Sequence, residues 1–157
     1  MCIRDRDIAT IKVRENYSKV FLEYRDDELN TVILPVRGYG LWGILYGYLA
    51  ISNDLNTIVG LEFYEHKETP GLGAEIDNPA WKALWNGKKL FDDEGNLLIK
   101  VVKGKVAMNE ADSNYKVDGL SGATLTSNGV TNLLAFWLGD LGYLKFLSNL
   151  KEEVTNV

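Results

Sequence analysis

Four runs rich in β-branched and aromatic residues follow one another along the first half of the chain, and they constrain the fold more than any other feature. They are KVFLEY (19–24), TVILPV (31–36), ILYGYLAIS (44–52) and TIVGLEFYE (57–65). The connections between them contain turn formers, as in RDDELN and NDLN. Extended runs separated in this way are typical of antiparallel strands joined by hairpins. The sequence therefore predicts an antiparallel sheet.

Two later segments have a helical period. In NPAWKALWNGKK (78–89), Asn78 suits an N-cap, Pro79 suits the first helical position and Gly87 can end the helix, which predicts a short helix. From about residue 127 to residue 150 the apolar residues recur every 3.6 positions, which predicts an amphipathic helix, broken near Gly139 and Gly142.

The segment between the two helices is predicted to contain one strand and one loop. LLIKVVKG (97–104) predicts the strand, and residues 105–128 are polar and predict the loop. The predicted fold class is α+β: a mostly antiparallel sheet packed against helices, with a C-terminal amphipathic helix.

Composition limits the classes of function. The chain has 157 residues, of which 46% are hydrophobic, and this predicts a single domain over residues 8–157. Residues 1–7, which begin with MCIRDR, resemble translated adaptor sequence, and we expect a non-native or disordered start. The net charge of −5 argues against binding to nucleic acid. No apolar run reaches the roughly 18 to 20 residues of a membrane span.

The motif DGLSGATLTSNG (118–129) lies directly before the C-terminal helix. A helix N-terminus offers unpaired N–H groups, and Gly119 and Gly122 let the backbone approach a ligand closely. Such a place suits a phosphate group. The alternative from helix physics is that Thr126 or Ser127 is only an N-cap and the glycines only make turns. The spacing leaves both interpretations open, since no P-loop lysine or dinucleotide fingerprint is present.

DGLSGAT (118–124) also resembles the covalent flavinylation motif of FMN-binding domains in the bacterial Nqr and Rnf respiratory complexes. The resemblance implies that Thr124 is the acceptor, its hydroxyl joined to FMN as a phosphoester. It implies that Asp118 is needed for the modification. It also implies a flavin transferase as a partner, which takes FMN from FAD and releases AMP.

A longer resemblance covers roughly residues 8 to 150. Residues 38–88 and the segment YKVDGLSGATLTSNGVTNLLAFWLGDLG closely resemble the NqrC family, whose members are subunits of sodium-translocating NADH:quinone oxidoreductases. The resemblance implies an FMN-carrying electron-transfer subunit of a translocase that oxidises NADH, reduces ubiquinone and exports sodium. The other Nqr subunits would be its partners, and the domain would lie on the periplasmic side of the bacterial inner membrane. Such subunits begin with a membrane-spanning helix, and we expect that anchor to be absent from this chain.

The loop ETPGLG (68–73) occurs in both the Nqr and Rnf subunits and is predicted to form part of the flavin pocket. Pro70 stiffens it, Gly71 and Gly73 allow the backbone close to the ring, and Leu72 can pack on the ring. Glu68 or Thr69 can hydrogen-bond the polar edges. The complete set of predicted cofactor-binding residues is Leu41, Trp42, Glu68, Thr69, Pro70, Gly71, Leu72, Gly73, Ser121, Gly122, Ala123, Thr124, Leu125 and Thr126.

Three lysines are candidates to offset negative charge near the flavin: Lys103, Lys105 and Lys116. His66, the only histidine, is predicted to have a packing or hydrogen-bonding role, and no metal site and no catalytic residue is expected. Trp81 and Trp85 are predicted to lie on the buried face of their helix.

Two other functions stay open at this point. One is that of RnfG, the related FMN-binding member of the Rnf-type electron transport complex, which has the same flavinylation motif. The other is a binding or assembly module that holds flavin or a phosphorylated ligand without a covalent bond and has no redox role.

Overall fold

An antiparallel sheet of four strands forms one side of the molecule, in a computed structural model that describes residues 4–107 and 109–155. The strands follow one another in space as they do in sequence, and each pairs antiparallel with the next. This confirms the predicted sheet. The strands are β1 (Phe21–Arg25), β2 (Glu28–Tyr39), β3 (Ile44–Ser52) and β4 (Ile58–Glu65).

The β1–β2 turn is tighter than the sequence predicts. Only Asp26 and Asp27 lie outside the strands, and both have left-handed backbone angles, with φ of 51° and 65°. A two-residue turn with both residues at positive φ matches the twist of the strands that it joins. β2 therefore begins at Glu28, three residues before the predicted start at Thr31.

The second half of β2 extends beyond β1, and side chains from the C-terminal part of the chain cover its free edge. The Trp137 indole N–H donates to the Arg37 carbonyl over 2.7 Å, and the Tyr143 hydroxyl donates to the Pro35 carbonyl over 2.7 Å. These bonds satisfy edge carbonyls that would otherwise be free to pair with another strand.

The helices are α1 (Pro79–Ala83), α2 (Thr124–Trp137) and α3 (Leu144–Thr155). The predicted break near Gly139 and Gly142 is confirmed. A Cβ at Gly142 would lie 2.0 Å from the Trp137 carbonyl oxygen, so the chain reverses in a space that only glycine fits. α1 starts at Pro79 as predicted, but it ends at Ala83, before the predicted end at Gly87. Gly87 turns the chain, with a φ of +79°.

The predicted strand over 97–104 is wrong except for two residues. The N–H groups of Leu98 and Ile99 both donate to the Leu90 carbonyl, at 2.9 and 3.2 Å, so a regular ladder cannot continue through them. Within 97–104 the only strand is β5 (Lys100–Val101), and Leu97 forms an isolated bridge with Phe91. β5 pairs in parallel with β6 (Lys116–Val117), which lies inside the predicted loop over 105–128.

α2 packs closely on β2, and this contact places the start of α2. A Cβ at Gly38 would lie 2.8 Å from the Leu133 Cβ, and a Cβ at Gly129 would lie 2.4 Å from the Tyr39 carbonyl oxygen. The two backbones can approach this closely only because glycine stands at both positions. The N-terminal end of α2 therefore lies beside the turn that follows Tyr39.

The buried hydrophobic residues form one cluster between the sheet and the helices. Trp81 and Trp85 belong to it, with ring centroids 5.5 Å apart in an edge-to-face contact. Both are buried as predicted, but only Trp81 lies on α1, which ends at Ala83. No helix in residues 4–107 and 109–155 combines the length and the apolar character needed to cross a bilayer.

Asp54 holds the β3–β4 turn. Burial acts to raise the pKa of its carboxyl, but hydrogen bonds from the Thr57 hydroxyl and amide, the Asn56 amide and Lys89 outweigh it and hold that pKa well below its usual value. A carboxyl whose pKa is lowered by folding stabilises the fold at pH values above its pKa in the unfolded chain. That stabilisation is lost as the pH falls toward the pKa of the folded protein.

We therefore expect the Asp54→Asn variant to be less sensitive to acid than the wild type. Between pH 7 and pH 3 the free energy of unfolding should fall further in the wild type than in the variant. An unfolded aspartate binds a proton below about pH 3.9, whereas Asp54 in the folded protein stays ionised, so acid favours the unfolded wild type. Urea denaturation at both pH values measures the difference. Asp93→Asn, a change at an exposed aspartate of the neighbouring turn, is the control and should behave as the wild type. Equal losses in the wild type and in Asp54→Asn would contradict the assignment.

Candidate functional site

Three separate segments meet at the side chain of Glu68. Its Oε1 accepts hydrogen bonds from the backbone N–H groups of Leu41 and Trp42, both over 3.0 Å. Its Oε2 accepts a hydrogen bond from the hydroxyl of Thr126 in the first turn of α2. Glu68 is only 6% exposed and Thr126 is fully buried. One carboxylate thus joins the β2–β3 turn, the loop after β4 and the start of α2.

Two glycines leave the space that this carboxylate occupies. A Cβ at Gly73 would lie 2.5 Å from Glu68 Oε2 and 2.6 Å from Thr126 Oγ1. A Cβ at Gly40 would lie 2.7 Å from Glu68 Oε1. The sequence predicts Gly73 as a point where the backbone approaches a ligand, but in the structure it is needed for the Glu68 side chain.

Glu68 and Thr126 are both predicted to contact the ligand. In the structure the Glu68 carboxylate accepts three hydrogen bonds from the protein, and the Thr126 hydroxyl donates one of them. These buried hydrogen bonds hold together the three segments that form the site. Of the two residues predicted for the polar edge of a ligand, only Thr69 is exposed.

Apolar side chains are exposed around this buried link, on the three segments that it joins. Leu41 and Trp42 are 37% and 62% exposed, Leu72 is 43% exposed, and Leu125 is 59% exposed. A Cβ at Gly122 would lie 2.9 Å from Leu72 Cδ2, so the ETPGLG loop touches the motif before α2. Exposed apolar groups on three adjoining segments, two loops and the start of α2, indicate a surface that binds a ligand or a partner.

Neither Thr126 nor Ser127 is the N-cap of α2, so the structure does not support the capping interpretation of the motif. α2 begins at Thr124, and the N-cap residue is Ala123, which has no capping side chain. Ser127 is not a cap either, because its hydroxyl accepts the Leu120 N–H over 3.1 Å. In the described part of the chain, nothing accepts a hydrogen bond from the N–H groups of Thr124, Leu125 and Thr126. The helix start is therefore open to an anion.

Thr124 itself is exposed, and a small cavity of about 40 Å³ lies beside it. Lys103 and Asn128 are among the residues that line this cavity. Of the three lysines predicted to offset negative charge, Lys103 is the one that the structure brings next to Thr124. Lys105 is exposed on the same loop.

Lys116 is already committed to other partners. Its ammonium group lies 2.7 Å from Asp112 and 2.6 Å from Glu110. Hydrogen bonds with Asp112 and Glu110 raise the pKa of Lys116 above its ordinary value. These two carboxylates therefore share its single positive charge, and the structure does not support the prediction that Lys116 offsets charge at the flavin.

Asp118 connects the motif to its surroundings. Its Oδ1 accepts the Val106 N–H over 2.9 Å, and its backbone carbonyl accepts the Trp81 indole N–H over 2.9 Å. The side chain is half-buried. Asp118 thus fixes the loop before α2 against the polar segment that follows β5.

His66 has the predicted hydrogen-bonding role. Its Nδ1 accepts the Glu68 N–H over 3.1 Å, and its Nε2 lies 2.7 Å from Asp77 Oδ2. Sequence reasoning missed Asp77 as its partner, because no local pattern links two residues 11 positions apart. No group of three or more His, Cys, Asp or Glu side chains within residues 4–107 and 109–155 could hold a metal ion.

Residues 40–139 match the family model of the FMN-binding domain. The chain belongs to the FMN-binding domain family. It is 58% identical over 146 residues to NqrC of the Na(+)-translocating NADH-quinone reductase of Pseudomonas aeruginosa, and 49% identical over 148 residues to that of Yersinia pestis. These alignments cover 93% and 94% of this chain but 56% and 54% of the relatives, so the chain spans about half of their length.

Two solved NqrC structures share the fold. NqrC of Shewanella oneidensis superposes with a TM-score of 0.87 at 44% identity, over 94% of this chain and 67% of that one. NqrC of Parabacteroides distasonis superposes with a TM-score of 0.69 at 42% identity, over 82% of this chain and 62% of that one. The predicted family resemblance and the α+β fold class are thereby confirmed.

We expect Glu68→Ala to destabilise the domain by about 3 kcal/mol, because it leaves the buried Thr126 hydroxyl and two part-buried backbone N–H groups without their acceptor. Glu68→Gln should cost about 1 kcal/mol or less, since an amide oxygen can accept both backbone N–H bonds and the amide nitrogen can donate to Thr126. Urea denaturation measures both variants. Glu65→Ala, at an exposed position of β4, is the control. A loss for Glu68→Ala no larger than for Glu65→Ala would show that the carboxylate does not hold the site.

Proposed function

We propose that this chain carries FMN joined to the hydroxyl of Thr124 by a phosphoester, and that it acts as an electron carrier. The observation that carries the proposal is the position of Thr124. It is the last residue of DGLSGAT, it is exposed, and it opens a helix whose first three N–H groups have no partner in the described residues. A phosphate attached there would lie at the positive end of the helix, an effect worth about 1 kcal/mol.

The residues present fit such a group. Lys103 and Asn128 lie beside Thr124 and can bind a phosphate, while the exposed side chains of Leu41, Trp42 and Leu72 can cover a flat ring. Gly122, at φ +71°, and Gly71, at φ +74°, supply the backbone turns between these groups. FMN, when bound, supplies the electron-transfer chemistry, and the protein supplies attachment, orientation and the local charge.

Attachment needs a partner enzyme. The Thr124 oxygen must lose its proton and form a bond to the phosphorus of the FMN half of FAD, while the bond to the AMP half breaks and AMP leaves. The step also needs a general base that accepts the proton of the Thr124 hydroxyl. A flavin transferase would provide it.

The parent complex is proposed from the similarity to NqrC. In this proposal the chain is the FMN-carrying part of a Na(+)-translocating NADH-quinone reductase and passes electrons between redox centres of the complex, coupled to sodium export. The other subunits are its partners, and the domain lies on the periplasmic side of the inner membrane, anchored by the N-terminal helix of the family. Identities of 58% and 49% to two NqrC proteins favour it over the RnfG alternative.

We expect Thr124→Ala to abolish covalent flavin and to leave the fold intact, because the change removes an exposed hydroxyl. The chain is expressed with a bacterial flavin transferase, and intact mass, peptide mapping and in-gel flavin fluorescence under denaturing conditions measure the adduct. Ser148→Ala, a hydroxyl removed from α3, is the control and should be fully modified. Circular dichroism checks the fold. An unmodified wild type, with another substrate modified in the same cells, would favour the non-covalent binding module.

We expect Asp118→Ala to reduce the modified fraction without unfolding the domain. Asp118→Asn separates two causes, because its amide oxygen can still accept the Val106 N–H while the negative charge is lost. If the charge is what the transferase step needs, both variants lose the adduct. If Asp118 only holds the loop, Asp118→Asn is modified as fully as the wild type. Undiminished in-gel fluorescence in both variants would contradict any role for Asp118.

A further inference from the structure

The imidazole of His66 joins the two ends of the loop that carries the ETPGLG residues. His66 directly follows β4, and Asp77 is the last residue of a 3-10 helix (Gly73–Asp77) that ends the loop. Nδ1 of the ring accepts the Glu68 N–H, and Nε2 contacts the Asp77 carboxylate. The His66 side chain thus links the start and the end of the loop. Its two contacts are separate from the three that the Glu68 carboxylate makes.

The hydrogen bonds define the protonation state of the ring. A backbone N–H can only donate, so Nδ1 must carry a lone pair. A carboxylate can only accept, so the proton lies on Nε2 and is donated to Asp77. The structure therefore contains neutral His66 in its Nε2–H form. A proton added to Nδ1 would put two donors face to face and break the bond to Glu68.

The ring lies next to the exposed rim of the candidate site. It is mostly buried, with 14% of the side chain exposed, and it borders a cavity of about 330 Å³ that Trp42 also lines. Trp42 is one of the two residues whose N–H groups bind the Glu68 carboxylate. Asp77 from the 3-10 helix contacts the ring directly. The other titratable groups around the cavity are Glu65 and Lys67 from the segment of His66, Tyr39 from β2 and Tyr46 from β3.

We propose that His66 is a positioning residue for the cofactor loop: neutral, it fixes the Glu68 backbone and through it the Leu41–Trp42 turn, and protonated at Nδ1 it releases that backbone. The part of this proposal that concerns the cofactor depends on the proposed function. As a consequence, the packing of the site around the flavin ring would change with pH. The residue responsible is His66, which does not contact Thr124.

A first experiment needs no cofactor. In the folded domain, nitrogen chemical shifts of the His66 ring identify the tautomer, and hydrogen exchange measures the protection of the Glu68 amide. We expect the Nε2–H form, and we expect the protection of the Glu68 amide to change together with the protonation state that the ring nitrogens report as the pH is varied.

Two variants separate positioning from packing. His66→Asn places an amide oxygen where Nδ1 lies, so it can accept the N–H two residues on, as in an Asx-turn, and it cannot titrate. His66→Ala removes the acceptor. We expect exchange of the Glu68 amide to rise roughly tenfold in His66→Ala and to stay within about twofold of the wild type in His66→Asn. Glu65→Gln, a neighbouring change of charge, is the control.

A second experiment uses protein flavinylated on Thr124. We expect the visible circular dichroism of the flavin to change with pH at the midpoint found for His66, and to become independent of pH in His66→Asn. If no adduct forms, the proposed function fails, while the cofactor-free experiment still decides the role of His66.

Four results would overturn the proposal. They are an Nδ1–H tautomer, a Glu68 amide that does not follow the ring titration, equal protection in His66→Ala and the wild type, or equal loss of protection in His66→Asn and His66→Ala. A flavin signal that stays constant through the His66 titration would overturn its extension to the cofactor.

Discussion

The hydrogen bonds of one buried carboxylate hold the candidate site together. Glu68 accepts two backbone N–H groups from the β2–β3 turn and the Thr126 hydroxyl from α2, so three segments that are distant in sequence share one anchor. A buried carboxylate is costly unless its oxygens are well satisfied, and here three donors satisfy it. The same arrangement leaves the neighbouring side chains, Leu41 and Trp42, on the surface, where a ligand can reach them.

The close contact between α2 and β2 determines where that anchor can form. Gly38 and Gly129 have no side chains that would keep the two elements apart. The start of the helix consequently lies beside the turn that follows Tyr39. Thr126 then faces inward toward Glu68, while Thr124, two positions earlier, faces outward. The division between a holding threonine and an exposed threonine follows from helix geometry, since residues two apart do not share a face.

Features with local signals are predictable from the sequence. β3 is predicted at its observed bounds, because turn formers flank an uninterrupted extended run, and the break near Gly142 is predicted from glycine alone. The strand predicted over 97–104 is longer than β5. The apolar run does not reveal that the N–H groups of Leu98 and Ile99 both donate to the Leu90 carbonyl. The contacts of Glu68 lie 26 to 58 residues away along the chain, and no pattern within a segment identifies them.

For the proposed flavin attachment, the long sequence separation between Glu68 and Thr126 has a consequence: it would link attachment to folding. DGLSGAT is a short linear motif and exists in an unfolded or newly made chain, but the apolar rim and the Glu68 anchor exist only once the sheet and α2 have packed together. Contacts of high sequence separation form late, because loop closure must be completed first. An enzyme that requires the assembled rim would therefore distinguish mature domains from unfolded ones and would use its flavin donor only on chains able to hold the product.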